Sequence, residues 1–173
     1  MPDDGNRYEI IDGIPYLMAA PFEQHQAILG EIFYRLRLYL EGKRCDLRMS
    51  PYDVRLALYG EAEDEEINVV QPDIMVFCEK SKIDIKGAIA APDIAIEILS
   101  PSSIKNDRYR KFKLYEKAGV KEYWIVDGSS KTVDVFVLEG EKFSLRELLS
   151  EEDVITSTVL EGLGIRLVDI FYS

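Results

Sequence analysis

The chain predicts a mixed α/β (α+β) fold, a sheet of parallel and antiparallel strands with helices packed against it. Three observations carry this. The apolar stretch Asp93–Leu99 is followed by a helical pattern and then by a second apolar strand, Glu122–Asp127. Strand, helix and strand of that length imply a parallel pair joined by a right-handed crossover. Other segments alternate polar and apolar residues, as half-buried antiparallel strands do. An early stretch of helical period is long enough to cover one face of such a sheet.

The bulk properties fit this class. With 173 residues, 47% hydrophobic and 31% charged, the chain reads as one domain over 1–173 with a buried core. Its apolar runs are short and broken by charge, so no membrane span is expected. The start, Met1-Pro2-Asp3-Asp4-Gly5, is polar and acidic, which predicts a cytoplasmic protein without a signal peptide. Cys45 and Cys78 are the only cysteines and are expected to be reduced thiols. With His25 as the sole histidine, neither a structural zinc site nor a Ser-His-Asp arrangement has support.

The net charge of -11 argues against whole-surface attraction to nucleic acid. Basic residues nevertheless gather locally. One group is Arg35, Arg37, Lys43, Arg44 and Arg48; the other is Lys105, Arg108, Arg110, Lys111, Lys113 and Lys117. Each is either a solvated helix face or a basic surface on an acidic body.

In chain order, Tyr8–Ile11 and Ile14–Met18 flank Asp12-Gly13, a two-residue hairpin signal, and Pro15 makes the second strand an edge strand. From Phe22 to Glu41, residues Ile28, Leu29, Ile32, Phe33, Leu36, Tyr39 and Leu40 form one apolar helical face. Pro21 suits the first turn and Gly42 the C-terminal end. Cys45–Met49 and Val54–Leu58 alternate as strands around the turn-like Ser50–Asp53, and 60–66 is a solvated acidic loop. Val69–Phe77 is an apolar strand interrupted by Asp73. Lys80–Gly87 is a polar connection with a short helical turn. After Asp93–Leu99, the serines at 102 and 103 offer N-caps for a helix with Tyr109, Phe112, Tyr115 and Ala118 on its apolar face, ended by Gly119. Glu122–Asp127 and Thr132–Leu138 are neighbouring strands with Tyr123 and Trp124 as core aromatics, and the remainder is a less regular acidic tail.

Two acids break apolar strands, Asp73 and Glu97. A buried carboxylate costs several kcal/mol unless it is paired or bound to a cation. If the strands are neighbours, both carboxylates converge at one end of the sheet. Such a pair either takes up a proton, binds a cation, or hydrogen-bonds to backbone or Arg. Carboxylates with a backbone carbonyl are hard oxygen ligands suited to magnesium or manganese. Asp93 sits beside Pro92 at the strand entry and is expected to be solvated. Asp107 and Lys111 are four apart on a helix, which by itself describes a commonplace pair worth roughly 0.3–0.5 kcal/mol.

Pro72-Asp73, Glu97-Ile98-Leu99-Ser100-Pro101, Asp107, Lys111, Tyr115, Gly119 and Glu122–Asp127 together resemble the Uma-two family of bacterial proteins. Tyr8-Glu9, Asp12-Gly13 and His25 join the likeness, which runs from about Tyr8 to Leu138. That family belongs to the PD-(D/E)XK nuclease superfamily, so the resemblance implies a restriction-endonuclease-like fold and metal-dependent hydrolysis of phosphodiester bonds in DNA. It assigns Asp73, Glu97 and the carbonyl of Ile98 to Mg2+ or Mn2+. The superfamily places lysine two positions beyond the second acid; here Leu99 stands there, and Lys111 on the next helix is its substitute. By the same likeness Lys111 orients or deprotonates water and neutralises the scissile phosphate, with the basic face of its helix on backbone phosphates. Asp107, Glu31 and His25 are accessory candidates. Two alternatives stand beside this: a nucleic-acid- or protein-binding module on the same fold that has lost cleavage, favoured by Leu99 and the net charge, and a structural homodimer.

Overall fold

The computed structural model describes residues 5–20, 22–56 and 68–171. Pro21, the end of the Val54–Leu58 strand, the 60–66 loop and the first four residues lie outside them.

The elements in order are β1 (Tyr8–Ile11), β2 (Ile14–Leu17), α1 (Glu23–Leu40), β3 (Asp46–Met49), β4 (Val54–Arg55), β5 (Val69–Val70) and β6 (Ile74–Phe77). A 3-10 turn at Lys80–Lys82 leads to β7 (Ile83–Asp84), β8 (Gly87–Ala88) and β9 (Ile94–Ile98). A π-helical segment, Asn106–Lys111, runs into α2 (Phe112–Ala118). Then come β10 (Glu122–Asp127), β11 (Thr132–Glu139), β12 (Lys142–Ser150), β13 (Val154–Ile155), β14 (Ile165–Arg166) and a 3-10 turn at Leu167–Asp169.

The central sheet has the order β12-β11-β10-β9-β6-β3. Within it β9 and β10 are parallel and the other pairs antiparallel. The expected parallel pair is therefore present, with the π segment and α2 as its crossover. Alternation along the strands sorts the core into two. Ile74, Val76, Ile94, Ile96, Ile98, Trp124 and Val126 face α1, which buries Ile28, Leu29, Ile32, Leu36 and Leu40 against them. Met75, Phe77, Ala95, Tyr123 and Ile125 face the other way, toward Leu114 and Tyr115.

That second face also carries a second sheet, β2-β1-β5-β4-β8-β7. One sheet was the expectation. Four strands of this second one are two residues long, too short to leave a periodic signal. It includes the hairpin, whose turn residues Asp12 and Gly13 both have positive φ (51° and 74°), as a type I′ turn needs. β2, with Pro15, is an edge strand as expected. Gly87 lets β8 approach β4: a Cβ there would lie 2.3 Å from the Asp53 carbonyl oxygen.

Two expectations need correction. The Val69–Phe77 stretch is two strands, because Gln71-Pro72-Asp73 leaves one sheet and enters the other. Cys45 and Cys78 are bonded as a disulfide; they lie one step beyond the paired residues Asp46 and Phe77 of neighbouring strands. The tail has little regular structure, as expected, but it is not peripheral: Ile155, Leu160, Leu163, Ile165, Leu167, Ile170 and Phe171 close the α1 side of the core. Among the described residues no helix is long and apolar enough to cross a membrane.

Leu36 is fully buried at the centre of the α1 face. Leu36→Ala should cost about 2–5 kcal/mol in urea unfolding. A loss below about 1 kcal/mol would mean that α1 is not packed as described.

Candidate active site

The site lies at the end of the central sheet where β6 and β9 meet. Ile74 pairs with Ile96 in antiparallel register, so Asp73, one step earlier, stands beside Glu97. Glu97 shares the side of β9 that carries Ala95 and points toward α2, whereas Ile96 and Ile98 point toward α1. The sequence pattern thus drives this carboxylate beneath the crossover helix.

Glu97 meets a counter-charge there. Its Oε1 accepts from the Lys111 ammonium at 3.0 Å and from the Tyr115 hydroxyl at 2.7 Å. The ammonium also lies 2.9 Å from Glu9 Oε1 and 3.5 Å from Asp107 Oδ1. Its three donors face three carboxylates, and it is only 4% exposed. Glu9 is held in turn by the backbone N–H of Gln71, which donates to its Oε1 at 2.8 Å. The Tyr123 hydroxyl donates to the Asp107 carbonyl at 3.0 Å and ties the π segment to β10.

The π segment helps to explain how one helix delivers so much to one place. Asp107, Lys111 and Tyr115 are spaced by four. Four residues overshoot a turn of α-helix and fall short of a turn of the wider π-helix. The first interval lies in the π segment and the second mainly in α2, so the two offsets partly cancel and all three residues are buried on one stripe. A regular α-helix was the expectation; the four-residue spacing looks the same in either.

Asp73 is half-buried. Its Oδ2 accepts from the backbone N–H of Ile98 at 2.8 Å and lies 3.1 Å from His25 Nε2, in the first turn of α1. The Ile98 N–H points toward Asp73, and in an extended strand the carbonyl of the same residue points to the same side. The next N–H, that of Leu99, goes to the Val126 carbonyl on the other side. Asp73, Glu97, Ile98, His25, Asp107, Lys111 and Glu9 all line one cleft of about 120 Å³.

Burial and charge set the proton inventory. Burial pushes the Glu97 carboxyl well above the usual range, and the acids Asp107, Asp73 and Glu9 add to this against the pull of Lys111. Burial likewise raises Asp107. Burial works against the Lys111 ammonium, but Glu9, Glu97 and Asp107 outweigh it and hold Lys111 well above the ordinary lysine value. Burial also opposes the His25 imidazolium, yet the hydrogen bond and charge of Asp73 carry its pKa above the usual value. The one buried ammonium is thus shared by three acids, Glu9, Glu97 and Asp107, while Asp73 has His25, and Arg7 stands at the cleft's rim.

The structure therefore brings together Asp73, Glu97, Ile98, Lys111, Asp107 and His25. It does not bring in Glu31, which pairs with Arg35 at 3.4 Å on a surface that Asp169 shares. Asp93 was expected to be solvated and is fully buried. It receives the Cys78 N–H at 2.8 Å and pairs with Lys121 at 2.6 Å and Lys82 at 3.3 Å. Burial pushes its pKa up, but these partners hold it below the usual carboxylate range. The basic helix face is also largely spoken for. Lys111 turns inward, Arg108 pairs with Asp134 at 2.6 Å, and Arg110 bonds Asn106 and lies over the Tyr16 ring.

Glu9 and the Tyr115 hydroxyl are the residues that sequence reasoning missed. Glu9 had a readable signal: it shares the inward side of β1 with buried Ile11. Tyr115 had none, because helical periodicity treats its ring as apolar and ignores its hydroxyl.

The sequence matches the Uma2 family, described as "Putative restriction endonuclease", over residues 1–168. An uncharacterized protein of Synechocystis is 25% identical over 131 residues, spanning 75% of this chain. The match covers 65% of that relative's length, less than two thirds. The fold is similar to the crystal structure of a "putative nuclease belonging to DUF820" from Anabaena variabilis, with a TM-score of 0.78 at 21% identity, covering 99% of this chain and 93% of that one.

The raised values have a definite sign. Glu97 and Asp107 bind protons more tightly folded than unfolded, so their contribution is full below the ordinary carboxylate range and is lost as the pH rises through the folded values. Lys111 contributes fully below the ordinary lysine range and loses this as the pH rises through its raised folded value. Lys111→Met leaves three buried acids without their ammonium. It should cost about 3–5 kcal/mol near pH 7 and less near pH 5, where Glu97 and Asp107, whose values are raised, take up protons, as read from urea unfolding.

Proposed function

The chain belongs to the Uma2 family, and on that footing we propose that it is a metal-dependent endonuclease that hydrolyses phosphodiester bonds in DNA. One observation carries the reading: a half-open cleft in which three carboxylates meet a single buried ammonium and a fourth, Asp73, stands beside them against His25. A group of this kind is under-neutralised, and a divalent cation is the natural complement.

The donors fit such an ion. Among the described residues no three His, Cys, Asp or Glu side chains form a ready-made cage. What the cleft offers is two carboxylates, Asp73 and Glu97, and the Ile98 carbonyl, all hard oxygens. Mg2+ or Mn2+ suits that set, because Mg2+ usually keeps several waters and takes only one or two protein carboxylates. When bound, the ion would supply Lewis-acid charge to a phosphoryl oxygen and lower the pKa of a water.

The protein's own groups then have distinct tasks. Tyr115 and Lys111 fix the rotamer of Glu97 by donating to the same oxygen. The Ile98 N–H fixes Asp73. Lys111 neutralises the charge that builds on the phosphate in the transition state. The expected second role, deprotonating water, does not suit it: an ammonium held above the usual lysine range is a poor base near neutral pH. Its position also answers the departure at Leu99, since the helix ammonium reaches the second acid directly. Among the described residues neither Asp73 nor Glu97 bonds to Arg; Asp73 accepts one backbone N–H, from Ile98, and Glu97 has Lys111 and Tyr115 as its partners.

Plasmid cleavage should appear with Mg2+ or Mn2+ and stop with a chelator. Asp73→Asn, Glu97→Gln and Lys111→Ala should each lower it by about 100-fold or more. Mg2+ should raise the melting temperature of the wild type and not that of Asp73→Asn. Cleavage that survives Glu97→Gln would overturn the assignment.

A further inference from the structure

A second cavity, of about 250 Å³, opens beside the cleft between the first turn of α1 and the loop that leaves β9. Phe22 and Ile104 stand at it 60% and 45% exposed, and half-buried Leu99 also lines it. Gln24, Asp127 and Ser129 supply its polar groups. The cavity shares His25 and Ser100 with the cleft, so the two adjoin at these residues.

One residue choice here is not explained by folding. Phe22 is the N-cap of an eighteen-residue helix and makes no side-chain capping bond. Ser, Asn or Asp is favoured there because its oxygen satisfies a first-turn N–H; an aromatic ring forgoes this and stays in water. Leu99, which packs against the second core, takes the place where the wider superfamily puts lysine. It makes this wall apolar where a charge would otherwise stand.

We propose that this cavity receives a nucleobase, unstacked from a nucleotide flanking the scissile phosphate, so that the favoured substrate is single-stranded or splayed rather than intact duplex. This rests on the nuclease reading above. A nucleotide carries its base one sugar away from its phosphate. A phosphate held near Asp73, Glu97 and Lys111 leaves that base free to reach across the shared His25–Ser100 wall. The cavity suits a flat ring with a polar edge: Phe22, Leu99 and Ile104 offer apolar contact, and Asp127, Ser129 and Gln24 offer hydrogen bonds. It is smaller than the roughly 300–1,000 Å³ of pockets for drug-sized ligands, which matches one ring system. A base stacked in a duplex enters only by flipping out, at a cost that a single strand does not carry. The net charge of -11 points the same way, since a single strand presents fewer phosphates per unit length than a duplex.

The test uses the full chain carrying Glu97→Gln, with and without Phe22→Ser, and an oligothymidine strand with one central 2-aminopurine. Binding should change the probe's fluorescence. Phe22→Ser should weaken binding about tenfold, as expected for one lost base–aromatic stack. Its melting temperature should hold or rise, because serine caps the helix. Ile104→Ser should give a similar loss. Unchanged affinity in Phe22→Ser, or equal affinity for the strand annealed to its complement, overturns the proposal. Cleavage of single-stranded circular DNA, alongside plasmid, by chains without Glu97→Gln separates the two readings. Metal-dependent cleavage with Phe22-independent strand binding removes the base pocket and leaves the nuclease. Phe22-dependent fluorescence without any cleavage removes the nuclease and leaves a base-binding site.

Discussion

The site depends on one buried ammonium. Lys111 lies between Glu97 on β9, Glu9 on β1 and Asp107 on its own π turn, so a single point charge joins the central sheet, the hairpin and the crossover helix. Such a cluster is not an economical way to stabilise a protein. Several charges lose their water, and apolar residues of the same volume would often serve as well or better. What it provides is position: Oε1 of Glu97 is held by both an ammonium and a phenol within a largely apolar layer. The surrounding core, with Tyr115, Tyr123 and Leu114 fully or nearly fully buried, makes those contacts strong by excluding water.

Strand β9 shows the same problem solved twice. Asp93 and Glu97 lie at its two ends, four residues apart on one side of the strand, and both are buried. Asp93 has two lysines and a backbone donor to itself, and its carboxyl is driven toward ionisation. Glu97 shares one lysine with two other acids, and its carboxyl is driven toward protonation. The difference separates a neutralised structural acid from one with capacity left over. Burial alone does not distinguish the two; the ratio of acids to cations does.

Much of this was legible in the residues. Asp73 and Glu97 stood out as acids in apolar strands, and Asp12-Gly13 and the strand–helix–strand order gave the hairpin and the parallel pair. The failures have physical causes. Asp93 looked solvated because Pro92 suggested a strand end, while the lysines that bury it come from Lys82 and Lys121, distant in the chain. The disulfide depends on the pairing of β3 with β6, which no local pattern reveals. The short strands of the second sheet and of the tail are too brief for periodicity. Glu9 was visible in principle, as an acid on the apolar side of its strand, but short hairpins give little reason to ask which side is covered.

The docking of Glu9 has a consequence for how the chain acquires its site. Asp107, Lys111 and Glu97 come from neighbouring segments, so a partly folded chain can already gather them. Glu9 arrives from the far N-terminal end, and its contact with Lys111 closes a long loop whose entropy must be met before the contact gives anything back. Until the hairpin seats, the ammonium lacks one of its three acids and the cleft lacks the wall formed by Arg7, Glu9 and Leu17. Loop-closure entropy thus weighs on this contact more than on the others, and a chain with a loosened hairpin would keep most of its core while lacking a finished cleft.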